Sequence, residues 1–147
     1  MKSSVKISIV LLLTALHLRA QKSEIFVQDS VAVKGYDVVA YFTQSAPVKG
    51  NPAFVQVWKG SKWYFANREN QETFKASPEK YAPQYGGYCA YGTARGYKAS
   101  TEPDAWTISN GRLYLNYNTK VMETWRKDQA NYIDKSDKNW PTVKNKE

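Results

Sequence analysis

The chain has 147 residues, a formal net charge of +8 and a single cysteine. This length suits one domain with one hydrophobic core, and a single cysteine excludes a framework of internal disulfides. The basic side chains are scattered along the chain instead of clustering, which argues against a nucleic-acid-binding protein.

The N-terminal segment, residues 1–20, has the layout of a secretory signal peptide. Two lysines precede a short apolar run, residues 7–13, and the small residue Ala20 stands at the expected cleavage position. The apolar run is shorter than the roughly 20 residues that span a bilayer, so we expect no transmembrane anchor. Cleavage would deliver the protein to the periplasm or the extracellular space. It would also remove His17, the only histidine in the sequence, and with it histidine-based catalysis and metal binding.

Beyond the signal peptide, the sequence predicts an N-terminal extension (21–34), one domain (35–141) and a polar tail (142–147). The domain contains two predicted β-hairpins. Residues 53–58 (AFVQVW) alternate apolar and polar side chains, and a KGS turn leads to KWYF. Residues 106–109 (WTIS) are followed by Asn110-Gly111, a pair preferred in tight type I′ turns, and then by RLYLNY.

Each hairpin is followed by helical signals. Helices are predicted over 68–76, 119–127 and 129–138, with a short turn of helix starting at Pro78. Asn67 and Asn118 stand where N-cap residues accept hydrogen bonds from the first helical turn. Two strand–strand–helix units favour an α+β fold, with one small antiparallel sheet built from the two hairpins and several short helices packed on it.

The segment GSKWYFANRENQETFKASPEKYAPQYGGYCAYG resembles the YHS domain, a small metal-associated module. The matching frame is Trp63-Tyr64-Phe65, then Phe74, then the PEKY motif at 78–81. GYDVVAYF upstream, GGYCA and the downstream WTI and LYLNYN segments resemble the exported, stand-alone members of that family. The resemblance spans residues 35–141.

The expected metal ligands of the family are missing from this sequence. Metal-associated members carry cysteines at three positions that align here with Ala40, Ala66 and Asn70. Soft-metal sites are built from thiolates and imidazoles. The family's usual metal role therefore does not transfer to this chain residue by residue.

The candidate site is instead the Gly/Tyr-rich segment around Cys89. Its predicted ligand-binding residues are Tyr85, Gly86, Gly87, Tyr88, Cys89, Tyr91 and Tyr97. The two glycines would let the backbone approach a ligand closely, and the tyrosines would form aromatic pocket walls. Arg95 and Lys98 are near in sequence and are expected to lower the pKa of the Cys89 thiol.

Three functions stay open for this segment. The preferred hypothesis is a binding or sensing module for an unknown small ligand or protein, which makes an enzyme the less favoured class. The second is a thiol redox enzyme or redox partner with Cys89 as its catalytic nucleophile; some exported YHS-like proteins are described as selenoproteins, and a reactive thiol here is what that resemblance implies. The third is a structural or interaction protein with Cys89 buried. Copper binding is a weaker hypothesis for the cofactor. Cys89 would then be a metal ligand, and Met122 would be a second sulfur ligand for Cu(I).

Overall fold

The computed structural model describes residues 23–147, so the predicted signal peptide lies outside the described residues. The elements in chain order are β1 (Val27–Gln28), β2 (Val31–Ala32), a 3-10 turn (Val33–Gly35), α1 (Ala40–Thr43), β3 (Asn51–Trp58), β4 (Ser61–Phe65), α2 (Arg68–Ala76), α3 (Pro78–Tyr81), a second 3-10 turn (Gln84–Gly87), α4 (Ala90–Ala94), β5 (Trp106–Ser109), β6 (Arg112–Leu115), α5 (Thr119–Arg126) and α6 (Gln129–Val143). Within residues 23–147, no helix combines the length and apolarity that crossing a membrane requires.

The strands form two separate sheets. β1, β2, β4 and β3 make a mixed sheet in that order, and β5 and β6 make a two-stranded antiparallel sheet. The α+β class is confirmed, whereas the expected single antiparallel sheet is not what forms. The two predicted hairpins lie in different sheets, because β2 occupies the free edge of β4 and pairs with it in parallel.

Both predicted helix caps are confirmed. The Asn67 side chain accepts a hydrogen bond from the Asn70 backbone N–H at 2.8 Å. Asn118 does the same for the Val121 N–H at 2.8 Å. The final helix runs further than its pattern predicts: α6 continues to Val143, which is buried. The first residues of the expected polar tail are therefore part of the fold.

The segment expected as an extension also belongs to the core. Ile25, Phe26, Ala32 and Val33 are buried in the main hydrophobic cluster, beside residues of β4. This segment packs into the core because it forms the short β1–β2 hairpin, which covers the edge of β4. The structural unit therefore begins upstream of the predicted boundary at residue 35.

Aromatic side chains fill the two halves of the core. In the main cluster, Phe74 from α2 packs against Trp63 and Phe65 of β4, with ring centroids 5.2 and 5.0 Å apart. A second cluster contains Tyr85, Ala90, Tyr114 and Trp125. Trp140 of α6 packs against both clusters. This arrangement places the Gly/Tyr-rich segment between the β5–β6 hairpin and α6.

Candidate functional site

Cys89 is buried immediately before α4. Its side chain is 2% exposed, and its sulfur accepts a hydrogen bond from the Tyr117 backbone N–H at 3.2 Å. The thiol donates to Asn116 Oδ1 at a sulfur–oxygen distance of 3.5 Å. Asn116 Oδ1 also accepts from the Tyr91 N–H at 3.0 Å, which fixes the amide orientation. An oxygen acceptor facing the sulfur favours the protonated thiol.

Burial raises the pKa of the Cys89 thiol, and backbone hydrogen bonds from Gly92, Tyr117 and Tyr91 offset only part of that effect. The expected lowering of this pKa by Arg95 and Lys98 is therefore wrong. Desolvation disfavours the thiolate, so the burial of Cys89 favours its neutral thiol form.

The two basic residues have other partners. Arg95 donates to the Tyr91 hydroxyl at 3.4 Å. Lys98 Nζ donates to the backbone oxygens of Lys144 and Lys146 at 2.8 and 2.9 Å, and to that of Ser23 at 3.3 Å. Lys98 thus connects chain segments that are far apart in sequence, which sequence proximity to Cys89 did not indicate.

A pocket of about 260 Å³ opens beside the Cys89 sulfur. Its lining consists of Cys89, Tyr91, Tyr97, Ala99, Tyr117 and Val121. Tyr97 and Tyr117 are 46% and 51% exposed, so the pocket is open to solvent between aromatic side chains. We call it the thiol pocket. Two of its walls, Tyr117 and Val121, were not predicted, because they come from the β6–α5 segment and reach Cys89 only through the fold.

The seven predicted site residues lie in three different places. Cys89, Tyr91 and Tyr97 share the thiol pocket. Tyr85 and Gly86 line a second pocket, of about 420 Å³. Tyr88 is buried, and its hydroxyl donates to the Ser23 carbonyl at 2.7 Å. Gly87 is also buried.

The two glycines bring the backbone close to the protein's own N-terminal segment. A Cβ atom added at Gly86 would overlap the carbonyl oxygen of Glu24, and one at Gly87 would lie 2.5 Å from a methyl carbon of Val33. The Phe26 N–H donates to the Gly86 carbonyl at 2.8 Å. The two glycines do allow another group to lie close to the backbone, as predicted. That group is the protein's own N-terminal segment and not a ligand.

The positions that align with the family's cysteines meet at one buried carboxylate. Asp37 is fully buried. Its oxygens accept hydrogen bonds from the Ala40 N–H at 3.2 Å, the Ala66 N–H at 2.9 Å and the Asn70 side-chain amide at 2.7 Å. Positions 40, 66 and 70 therefore surround an acidic side chain held by protein donors.

A soft-metal site has little support among residues 23–147. No group of three or more His, Cys, Asp and Glu residues is placed there to hold a metal ion. Met122, the second sulfur of the copper hypothesis, is buried and does not line the thiol pocket. Cys89 would be left with oxygen and backbone neighbours, which suit Cu(I) poorly.

No protein-family model matches this chain, and comparison with the curated proteins and with the solved structures found no match. The YHS resemblance in residues 35–141 accordingly stays a prediction.

Proposed function

We propose that this protein is an exported, YHS-like binding or sensing module whose ligand enters the thiol pocket. Export rests on the signal-peptide pattern of residues 1–20. The family proposal rests on the sequence frame and on one geometric fact that supports it: Ala66 and Asn70 join Ala40 in donating hydrogen bonds to Asp37, across sequence separations of 29 and 33 residues.

The thiol pocket is the observation that carries the proposal. It joins a buried sulfur to three tyrosine rings and the aliphatic side chains of Ala99 and Val121. Its volume of about 260 Å³ lies just below the roughly 300–1,000 Å³ typical of small-molecule sites. The pocket therefore suits a small planar aromatic molecule or a short aliphatic one.

The neutral thiol favours binding over thiol chemistry. The pKa of Cys89 is raised by burial, whereas catalytic cysteines have a lowered pKa in electropositive, partly exposed surroundings. Cys89 thus acts as a soft apolar contact at the pocket floor. Beside it, Asn116 Nδ2 has no hydrogen-bond partner among residues 23–147.

Indole is a suitable probe, because it is planar and has the size of the pocket. At roughly 0.5 kcal/mol per non-hydrogen atom, its nine atoms would give about 4.5 kcal/mol, or a Kd somewhat below 1 mM. We expect an indole titration, followed by amide chemical shifts, to move the signals of Cys89, Tyr117 and Val121 and to saturate at millimolar concentration.

Val121→Trp fills the pocket and provides the specificity control. This variant should abolish the saturable shifts, whereas Val57→Trp, on an exposed position of β3 that is 61% accessible, should leave them unchanged. Shifts that stay linear in indole concentration, or that map to another surface, would overturn the proposal. So would unaltered binding to the Val121→Trp protein.

A further inference from the structure

The second pocket, of about 420 Å³, differs in chemistry from the thiol pocket. We call it the acidic pocket. Its lining includes the aromatic residues Trp58, Tyr85 and Trp140 and the carboxylates of Glu24, Glu79 and Asp137. Lys59 is the only basic residue among its lining residues. The pocket is therefore locally negative, although the chain as a whole carries a formal charge of +8.

An ammonium group of the protein already occupies one edge of this pocket. Lys59 Nζ lies 4.9 Å from the centroid of the Trp58 ring and 3.2 Å from Glu24 Oε1. A cation held between an aromatic face and a carboxylate is the arrangement by which proteins bind ammonium ligands. The contact shows that this edge accommodates a positively charged nitrogen.

Tyr85, Trp140 and Asp137 supply the same two chemical groups, aromatic rings and a carboxylate, to the lining of this pocket. Tyr85 and Trp140 pack with ring centroids 6.0 Å apart. The Tyr85 hydroxyl donates to Asp137 Oδ1 at 2.8 Å, which holds this carboxylate beside the rings. Glu79 adds an exposed carboxylate that forms no ion pair with any of residues 23–147. Aromatic faces and carboxylate oxygens thus line one open cavity.

From this the geometry points to a second ligand site, which binds a small organic ammonium ion in the acidic pocket. The positive nitrogen lies against the aromatic faces, near Asp137 and Glu79. The site does not depend on the thiol pocket, because the two pockets share no lining residue. A quaternary or primary ammonium head group fits the site, and an anion of the same size does not.

Choline and its uncharged isostere 3,3-dimethyl-1-butanol test the role of charge directly. At low ionic strength, we expect choline chloride to shift the backbone amide of Gly86 and the indole N–H signals of Trp58 and Trp140. The neutral alcohol should bind at least about tenfold more weakly, because it lacks the attraction to the rings and carboxylates. Equal affinity for both probes would overturn the inference.

Variants then identify which carboxylates contribute to choline binding. The double substitution Glu79→Gln and Asp137→Asn preserves side-chain shape, including the oxygen that accepts from Tyr85. It should weaken choline binding about tenfold. Glu123→Gln, an exposed position of α5 outside the pocket, is the matched control and should change nothing. Lys59→Met should tighten binding, because it removes the one positive charge among the residues that line the pocket.

Three further results would count against the site. These are no saturable shift up to 50 mM choline, shifts that map to Cys89 and Tyr117, and a double variant that binds choline as well as the unmodified protein does. Because indole reports on the thiol pocket and choline on the acidic pocket, failure of one proposal is distinguishable from failure of the other.

Discussion

Replacing Gly86 by alanine tests how the N-terminal segment is joined to the domain. Gly86 has a φ of +63°, and an added Cβ would overlap the Glu24 carbonyl. Gly60 is a matched control, because its φ of +71° is similar and no atom lies within 4 Å of the added Cβ. Both variants force alanine into the left-handed region, so the difference between them isolates the contact with Glu24.

The expected loss in the free energy of unfolding follows from the contacts that each variant must break. The left-handed conformation costs alanine about 1–2 kcal/mol, and the reduced freedom of the unfolded chain returns about 0.4–1 kcal/mol, so Gly60→Ala should cost roughly 1 kcal/mol. Gly86→Ala must also break the hydrogen bond from the Phe26 N–H, worth about 1 kcal/mol. It must partly withdraw Ile25 and Phe26 from the core, at about 2 kcal/mol.

The expected difference between the two variants is therefore about 3 kcal/mol in the free energy of unfolding. Urea denaturation monitored by tryptophan fluorescence measures it. With an m value of about 2 kcal/mol/M, the midpoint of Gly86→Ala should fall about 1.5 M below that of Gly60→Ala. Midpoints that agree within about 0.25 M would refute the argument, since the backbone of residues 24–26 would then move away at no cost.

Three other changes probe the buried polar groups. Asp37→Asn presents an amide NH₂ to backbone donors and should lower the free energy of unfolding by about 2–4 kcal/mol; a loss below 0.5 kcal/mol in urea denaturation would contradict the network. Lys98→Met removes the donor of three carbonyls and should cost about 2–4 kcal/mol, whereas Lys120→Met, at an exposed position, should be neutral in the same assay. Burial raises the pKa of Cys89, Tyr85 and Tyr88, so their protons are held more tightly in the folded state. Stability should therefore be complete below about pH 8.5 and should decline as the pH rises through about 10. A urea midpoint that is constant from pH 8 to 10.5 would contradict the predicted fall in stability. The Cys89→Ala variant should begin to lose stability only at a higher pH.

Local signals in the sequence predicted local structure well. The Asn67 and Asn118 caps, the Asn110-Gly111 turn and the helices that follow the hairpins depend on neighbours within four residues, and each is present. Both residues of the turn have positive φ, 50° and 72°, as a type I′ turn requires. Such features are encoded by side chains that act on their own backbone.

Contacts across long stretches of chain were not predictable in the same way. Residues 25–33 lie in the segment predicted as an N-terminal extension. Their strands form by pairing with each other and, through β2, with β4, a partner about 30 residues further along the chain. Tyr85 and Tyr91 lie six positions apart, yet the positive φ of Tyr85 and the kinked turn that follows send them to different pockets. The positive charge of Lys98 is near Cys89 in sequence, but its ammonium group donates to the carbonyls of Lys144 and Lys146. The prediction that it lowers the pKa of Cys89 failed for this reason.

The Lys98 contact has a consequence for rearranging the chain. Carbonyls of Ser23 and Lys146 bind the same ammonium nitrogen, so the two ends of the described chain lie within a few ångströms of each other. A short glycine–serine linker would bridge them, and a circular permutant opened in the exposed Lys59-Gly60 turn would preserve every buried contact. The order in which β3 and β4 are synthesised is therefore not fixed by this architecture.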